Sequence, residues 1–254
     1  MAQATELRRG AEAPRVNKGV SRRAPWPVQF YESAVGKKWV MGLTGLALYG
    51  FVFGHMIGNL KIYLGREPDG EWAIDAYGHF LRELLHPLLP NHVFVWLLRI
   101  GLIVAFVLHI HAASTLTLMN RRSRPVGYQS SRDYIAANFA SRTMRWTGVI
   151  ILAFLIFHLF DLSWTGTGQD YELGHVHDNM IASLSRPWVA AVYILGNAAL
   201  LVHLFHGIWS SFQTLGLNNP RWNGARRLVS LGAALLVGIP NILFPLLIVT
   251  DVVT

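Results

Sequence analysis

Four histidines, His55, His109, His158 and His203, each lie in a different long apolar stretch. An imidazole is both a hydrogen-bonding group and a metal ligand. In an apolar medium it is costly unless it bonds to something. Each of the four therefore needs a partner, which can be a polar group on a neighbouring helix, a proton relay or a metal ion. His111 lies two residues from His109, and His206 three from His203. On spacing alone either could replace its neighbour, and His206 shares much of the helical face of His203. The chain has no cysteine. That excludes disulfides, thiolate metal sites, iron–sulfur ligation by this chain and covalent c-type haem attachment.

The elements that carry these histidines read as membrane spans. Of the 254 residues, 52% are hydrophobic and only 14% charged, against about 25% charged in a typical soluble domain. A crossing helix needs about 20 apolar residues. Five stretches fit: 39–60, 100–120 (beginning near His92 and taking in Arg99), 146–160, 187–220 and 228–250. No sustained period-2 alternation of the kind a membrane barrel shows is present. The expected fold class is all-α: a polytopic membrane protein of five transmembrane helices, four of them forming a haem-binding bundle. A polar, Arg- and Pro-rich arm over 1–35 precedes a transmembrane domain over 36–254. The arm lacks the apolar core and small-residue cleavage site of a secretory signal.

The net charge of +8 does not indicate a nucleic-acid partner, because the basic residues cluster in the arm and in short joints. The arm holds Arg8, Arg9, Arg15, Lys18, Arg22 and Arg23, followed by Lys37 and Lys38. The joint between spans two and three holds Arg121, Arg122, Arg124, Arg132, Arg142 and Arg145, and the joint before span five holds Arg221, Arg226 and Arg227. With five spans these lie on one side, which the positive-inside rule makes cytoplasmic. The other joints carry Glu67, Asp69, Glu71, Asp75 and Glu83, then Asp161, Asp170, Glu172 and Asp178. The expected location is the inner (cytoplasmic) membrane, in contact with lipid, with the N-terminus inside and the C-terminus outside.

Depth then pairs the histidines. At about 1.5 Å per residue, His55 lies roughly 25 Å along span one from the inside, and His158 roughly 20 Å along span three. His109 and His203 lie roughly 25 Å down spans two and four from the outside. His55 is therefore level with His158 in the outer half, and His109 with His203 in the inner half. Two axial imidazoles make a low-spin, electron-transfer haem, and helix bundles build such sites from facing side chains. Two bis-histidine haems at two depths would form an electron path across the bilayer.

Specific runs carry a family resemblance. They are Gly54-His55-Met56-Ile57-Gly58-Asn59-Leu60; Arg99-Ile100-Gly101-Leu102 with Phe106-Val107-Leu108-His109; Met144-Arg145-Trp146-Thr147-Gly148 with Phe157-His158-Leu159; and His203-Leu204-Phe205-His206-Gly207-Ile208-Trp209-Ser210. In order and spacing the chain resembles the membrane-anchor cytochrome b subunit of succinate dehydrogenases and fumarate reductases, in the five-helix dihaem branch. The resemblance implies two haems b, the outer on His55 and His158 and the inner on His109 and His203. It favours His109 over His111 and His203 over His206. It also implies flavoprotein and iron–sulfur subunits on the cytoplasmic face, with electrons passing from the iron–sulfur subunit to membrane quinone, menaquinone in the dihaem branch. The chain itself shows no dicarboxylate or flavin site.

Other polar residues have two readings. Arg99 either snorkels to the outer interface or bonds a propionate of the outer haem. Arg145 and Trp146 are interfacial anchors or neighbours of the inner haem or a quinone. His206 and His111, if not ligands, fall in the same class of propionate or quinone contacts. His79, Arg82, Glu83 and His86 share one face of an expected surface helix. His175, His177 and Asp178 read as a solvated outer loop rather than a metal site, since no further ligand has suitable spacing. Two other functions remain open on the residues alone: a cytochrome b of a hydrogenase or formate dehydrogenase, and a haem-free proton or metal transporter.

Overall fold

A computed structural model describes residues 24–123, 139–164 and 166–253. The basic arm up to residue 23 and most of the joint between spans two and three, including Arg124 and Arg132, lie outside the described residues.

The described chain is helical, with no strand beyond a single Arg66–Trp72 bridge. A short helix α1 (Trp26–Glu32) leads into α2 (Ala34–Asn59), which tightens into a 3-10 turn at Leu60–Leu64. Helices α3 (Ala73–Glu83), α4 (Val93–Arg122) and α5 (Phe139–Leu159) follow. The last widens into a π turn at Phe160–Trp164. Then come α6 (Val176–Leu184), α7 (Pro187–Thr214), a 3-10 turn at Pro220–Trp222 and α8 (Asn223–Val249). Local chemistry sets several ends. Ser33 caps α2, its hydroxyl accepting from the Gly36 amide at 2.9 Å, as an N-cap serine does. Pro187 opens α7 at the position where its missing amide proton costs nothing.

Five helices are long and apolar enough to cross a membrane: Ala34–Leu64, Val93–Arg122, Thr143–Trp164, Pro187–Thr214 and Pro220–Val249. The first three contain the expected apolar stretches; the fourth stops at Thr214, short of the expected end at 220, and the fifth at Val249, one residue short of 250. Their outward faces are apolar. Ile103, Val104 and Val107 on α4, Val149 and Ile156 on α5, and Leu236 and Ile239 on α8 are all exposed. So much contiguous apolar surface does not suit a water-soluble monomer, and it suits lipid.

Helix α7 is the central post. It packs against α2, α5, α6 and α8, while α4 packs on α2. Without a hydrophobic drive between helices in lipid, close approach depends on small residues. Gly196 on α7 is such a place: an added Cβ would lie 2.4 Å from the Phe154 ring. The short helices α3 and α6 pack on one another and cover one end of the bundle. A buried apolar cluster of Met56, Ile62, Ile74, Met180, Leu184, Val189, Tyr193, Phe244 and Ile248 sits beneath this cap.

Three expectations change here. The last part of the expected arm is the helix α1, and its Tyr31 stacks on His111 of α4. Helix α3 stops at Glu83, so His86 lies beyond the helical face that carries His79 and Arg82. His177 is not solvated. Its ring stacks on Trp72 with centres 3.6 Å apart, and its backbone amide donates to buried Asp75 at 2.9 Å. It joins α6 to α3, because an aromatic stack and a buried carboxylate together outweigh the polarity that suggested a loop.

Candidate haem-binding pairs

The four histidines meet as two pairs. The His55 and His158 rings are 5.9 Å apart between centres, and those of His109 and His203 are 6.4 Å apart. The helices that carry each pair, α2 with α5 and α4 with α7, do not pack closely on each other; α2 packs on α4 and α5 on α7. Each pair thus bridges two helices held apart by their neighbours.

At the end of the bundle near α1, the Nδ1 nitrogens of both rings are engaged. His109 Nδ1 lies 3.1 Å from the Met41 carbonyl. A carbonyl only accepts, so Nδ1 carries the proton and Nε2 keeps a free lone pair. The Thr44 hydroxyl is also near, at 3.3 Å, and donates its own proton to the Val40 carbonyl at 2.6 Å. His203 repeats the arrangement. Its Nδ1 lies 3.1 Å from the Thr147 hydroxyl, which donates to the Met144 or Thr143 carbonyl. The Met144 carbonyl is itself a partner of His203.

The parallel has a sequence origin. Met41, Thr44, Gly45, Phe51 and His55 recur at identical spacing as Met144, Thr147, Gly148, Phe154 and His158. In each copy the Met and Thr serve the histidine of the next span, the Gly lies against that ring (His109 Cε1 for Gly45, His203 Cε1 for Gly148), and the Phe packs on the copy's own histidine four residues on. The Thr-to-His spacing of eleven residues puts the two pairs about 16 Å apart along the helices. The Thr, Gly and Phe positions escape a search for titratable residues. Comparing spans one and three in this register would have found them.

The pair near the α3–α6 cap is supported differently. His158 Nδ1 lies 3.2 Å from the Tyr193 hydroxyl, and that hydroxyl donates to Asp161 Oδ2 at 2.9 Å. Asp161 is fully buried on the π turn after α5. It also accepts from Ser183 Oγ at 2.5 Å, Arg186 Nη2 at 3.2 Å, Gln169 and Thr167. His55 stacks on Phe51 with ring centres 5.5 Å apart.

The ring separations are compatible with two imidazoles sharing one metal ion. A metal–imidazole bond is about 2.0 Å, so two rings on opposite sides of one ion have centres roughly 6 Å apart. Anchoring Nδ1 and leaving Nε2 free is how proteins orient a ligating histidine. Among the described residues no group of three or more His, Cys, Asp or Glu could hold a metal ion, so a metal here would depend on a cofactor for its remaining ligands.

The remaining candidate residues are placed as follows. His111 turns to α1, with its Nδ1 2.5 Å from the Tyr31 hydroxyl. His206 is half-buried one turn past His203. Arg99 is exposed, with its guanidinium 5.1 Å from the Trp96 ring centre. Arg145 and Trp146 are exposed at the start of their span. The structure thus brings His109, not His111, to His203.

No curated protein and no solved structure shows significant similarity to the chain. A family model described as the succinate dehydrogenase/fumarate reductase transmembrane subunit matches residues 120–239. The match takes in α5 and α7, with His158, His203, Thr147, Asp161 and Tyr193. Over these residues the chain is similar to the succinate dehydrogenase/fumarate reductase transmembrane-subunit family.

Proposed function

We propose that the chain is a dihaem cytochrome b anchor that links the iron–sulfur subunit of a succinate:quinone oxidoreductase to membrane quinone. One observation carries this reading: two histidine pairs, each about 6 Å between ring centres, with Nδ1 of three of the four rings already engaged. His55 and His158 would hold one haem and His109 and His203 the other. Each haem, when bound, would supply a one-electron carrier. The chain's own part is to orient. Thr44, Met41, Thr147, Met144 and Tyr193 fix the tautomer, the helices set the spacing, and the lipid-facing side chains keep water away.

By the distribution of Lys and Arg, the α1 end faces the cytoplasm and the flavoprotein and iron–sulfur subunits, and the α3–α6 cap faces outward. Menaquinone is the expected acceptor, from the resemblance to dihaem anchors. His111, His206, Arg99 and Arg145 are proposed only as contacts to propionates or quinone.

The test is the purified complex. Succinate should reduce a b-type absorption in the membrane subunit, and an added quinone should reoxidise it. A subunit with no b-type reduced-minus-oxidised spectrum would overturn the proposal and favour a haem-free use of the histidines.

A further inference from the structure

We infer that Tyr193 and Asp161 are positioning residues for His158, setting how strongly that imidazole donates electrons to the metal it holds. The inference rests on the dihaem reading and concerns one haem only.

The Tyr193 hydroxyl has one proton, and it goes to Asp161 Oδ2 at 2.9 Å. Toward His158 Nδ1, 3.2 Å away, the phenol oxygen can therefore only accept. The connection runs one way: imidazole Nδ1–H to phenol oxygen, phenol proton to carboxyl. Asp161 completes it. Its carboxyl is met by donors from Thr167, Gln169, Ser183, Arg186 and Tyr193. Among these, the Arg186 guanidinium can only donate, and its ion pair with Asp161 Oδ1 at 3.2 Å backs the acceptor with charge.

Arg186 builds the enclosure. Its Nη2 also donates to the Thr167 hydroxyl at 2.9 Å and to Gln169 Oε1 at 2.7 Å, which folds the loop after the π turn over Asp161. The tyrosine ring is seated by Phe154 and Phe157, with ring centres 5.2 and 6.0 Å away. Five of these residues, Asp161, Thr167, Gln169, Ser183 and Arg186, lie within 26 residues of one another in sequence; Tyr193 and His158 join them from α7 and α5.

A hydrogen bond from the distal imidazole nitrogen to an anion-backed acceptor raises the basicity of the ligating nitrogen. That favours the oxidised metal and lowers its reduction potential. The other pair has neutral partners, threonine hydroxyls and methionine carbonyls. The device is thus confined to the cap end.

The test is a redox titration of both haems in the whole complex. Tyr193→Phe keeps the ring packing and removes the hydroxyl; Asp161→Asn removes the charge. Each should raise the potential of one haem and leave the other unmoved, and the double variant should move it no further than the larger single shift. Ser183→Ala removes a competing donor to the oxygen that Tyr193 uses, so it should lower the same potential. A role in packing alone gives no such opposite sign. Two retained haems with unshifted potentials in all three variants would overturn the inference and leave the dihaem reading intact. Loss of a haem from Tyr193→Phe together with no shift in Ser183→Ala would also overturn it, making Tyr193 a packing residue. A wild-type subunit without haem would instead defeat the dihaem reading itself.

Discussion

Both histidine pairs draw on one repeated segment, and they are supported by opposite chemistries. At the α1 end, His109 and His203 are each held by a threonine and a methionine carbonyl from the preceding copy of the repeat. The two halves of that site are near-equivalent and neutral. At the cap end the equivalence fails. His158 reaches a buried carboxylate through Tyr193, while His55, beside its pair partner, stacks on the Phe51 ring. The repeat supplies His55 and His158 and the Met and Thr that hold His109 and His203; the turn after α5 adds charge beside His158. A duplicated scaffold can thus carry two similar groups whose properties are tuned separately.

The largest expected effect breaks the pairs outright. His158→Ala or His55→Ala should remove one haem and leave the other, and His109→Ala or His203→Ala should do the converse. The haem content of the purified subunit, with the spectral form of what remains, checks this. The same substitutions at His111 or His206 should leave both haems in place.

Next comes the charged support. Asp161→Ala leaves half-buried Arg186 without its carboxylate and strands several donors. It should cost about 3–5 kcal/mol, read as a drop in the thermal denaturation temperature in detergent. The neutral end offers no counterpart of that size.

A smaller effect is steric. Gly196→Ala would drive a Cβ into the Phe154 ring and should destabilise by about 1–3 kcal/mol. Phe154 packs on His158 and Tyr193, so the cap-end haem spectrum should change with it. The smallest effect sharpens the symmetry. Thr44→Val and Thr147→Val each remove one acceptor while a methionine carbonyl remains, so each should cost about 1 kcal/mol. Both should perturb the same α1-end haem, by similar amounts in a potentiometric titration. Effects on different haems would break the repeat argument.

Much of this was legible in the sequence because it depends on period and sign. Apolar length marks the five spans; α4 starts at Val93, one residue past His92. The fixed rise of a helix put His55 level with His158 and His109 with His203, and those rings lie together. Two features were hidden for physical reasons. Asp161 looks like one more acid in an outer loop, because a buried carboxylate differs from a solvated one only through partners distant in sequence, here Ser183, Arg186 and Tyr193. His177 was misread for the same reason: Trp72, more than 100 residues away, covers it. The turn of His111 away from the pair involves Tyr31 of α1, in a segment that reads in sequence only as the end of a polar arm.

The central claim is that one chain carries two bis-histidine haems, and the haem-to-chain ratio of the purified subunit tests it most directly. The account predicts two b-type haems per chain, both low-spin. A ratio of one would leave one histidine pair without its group, and a ratio of zero would contradict the account altogether.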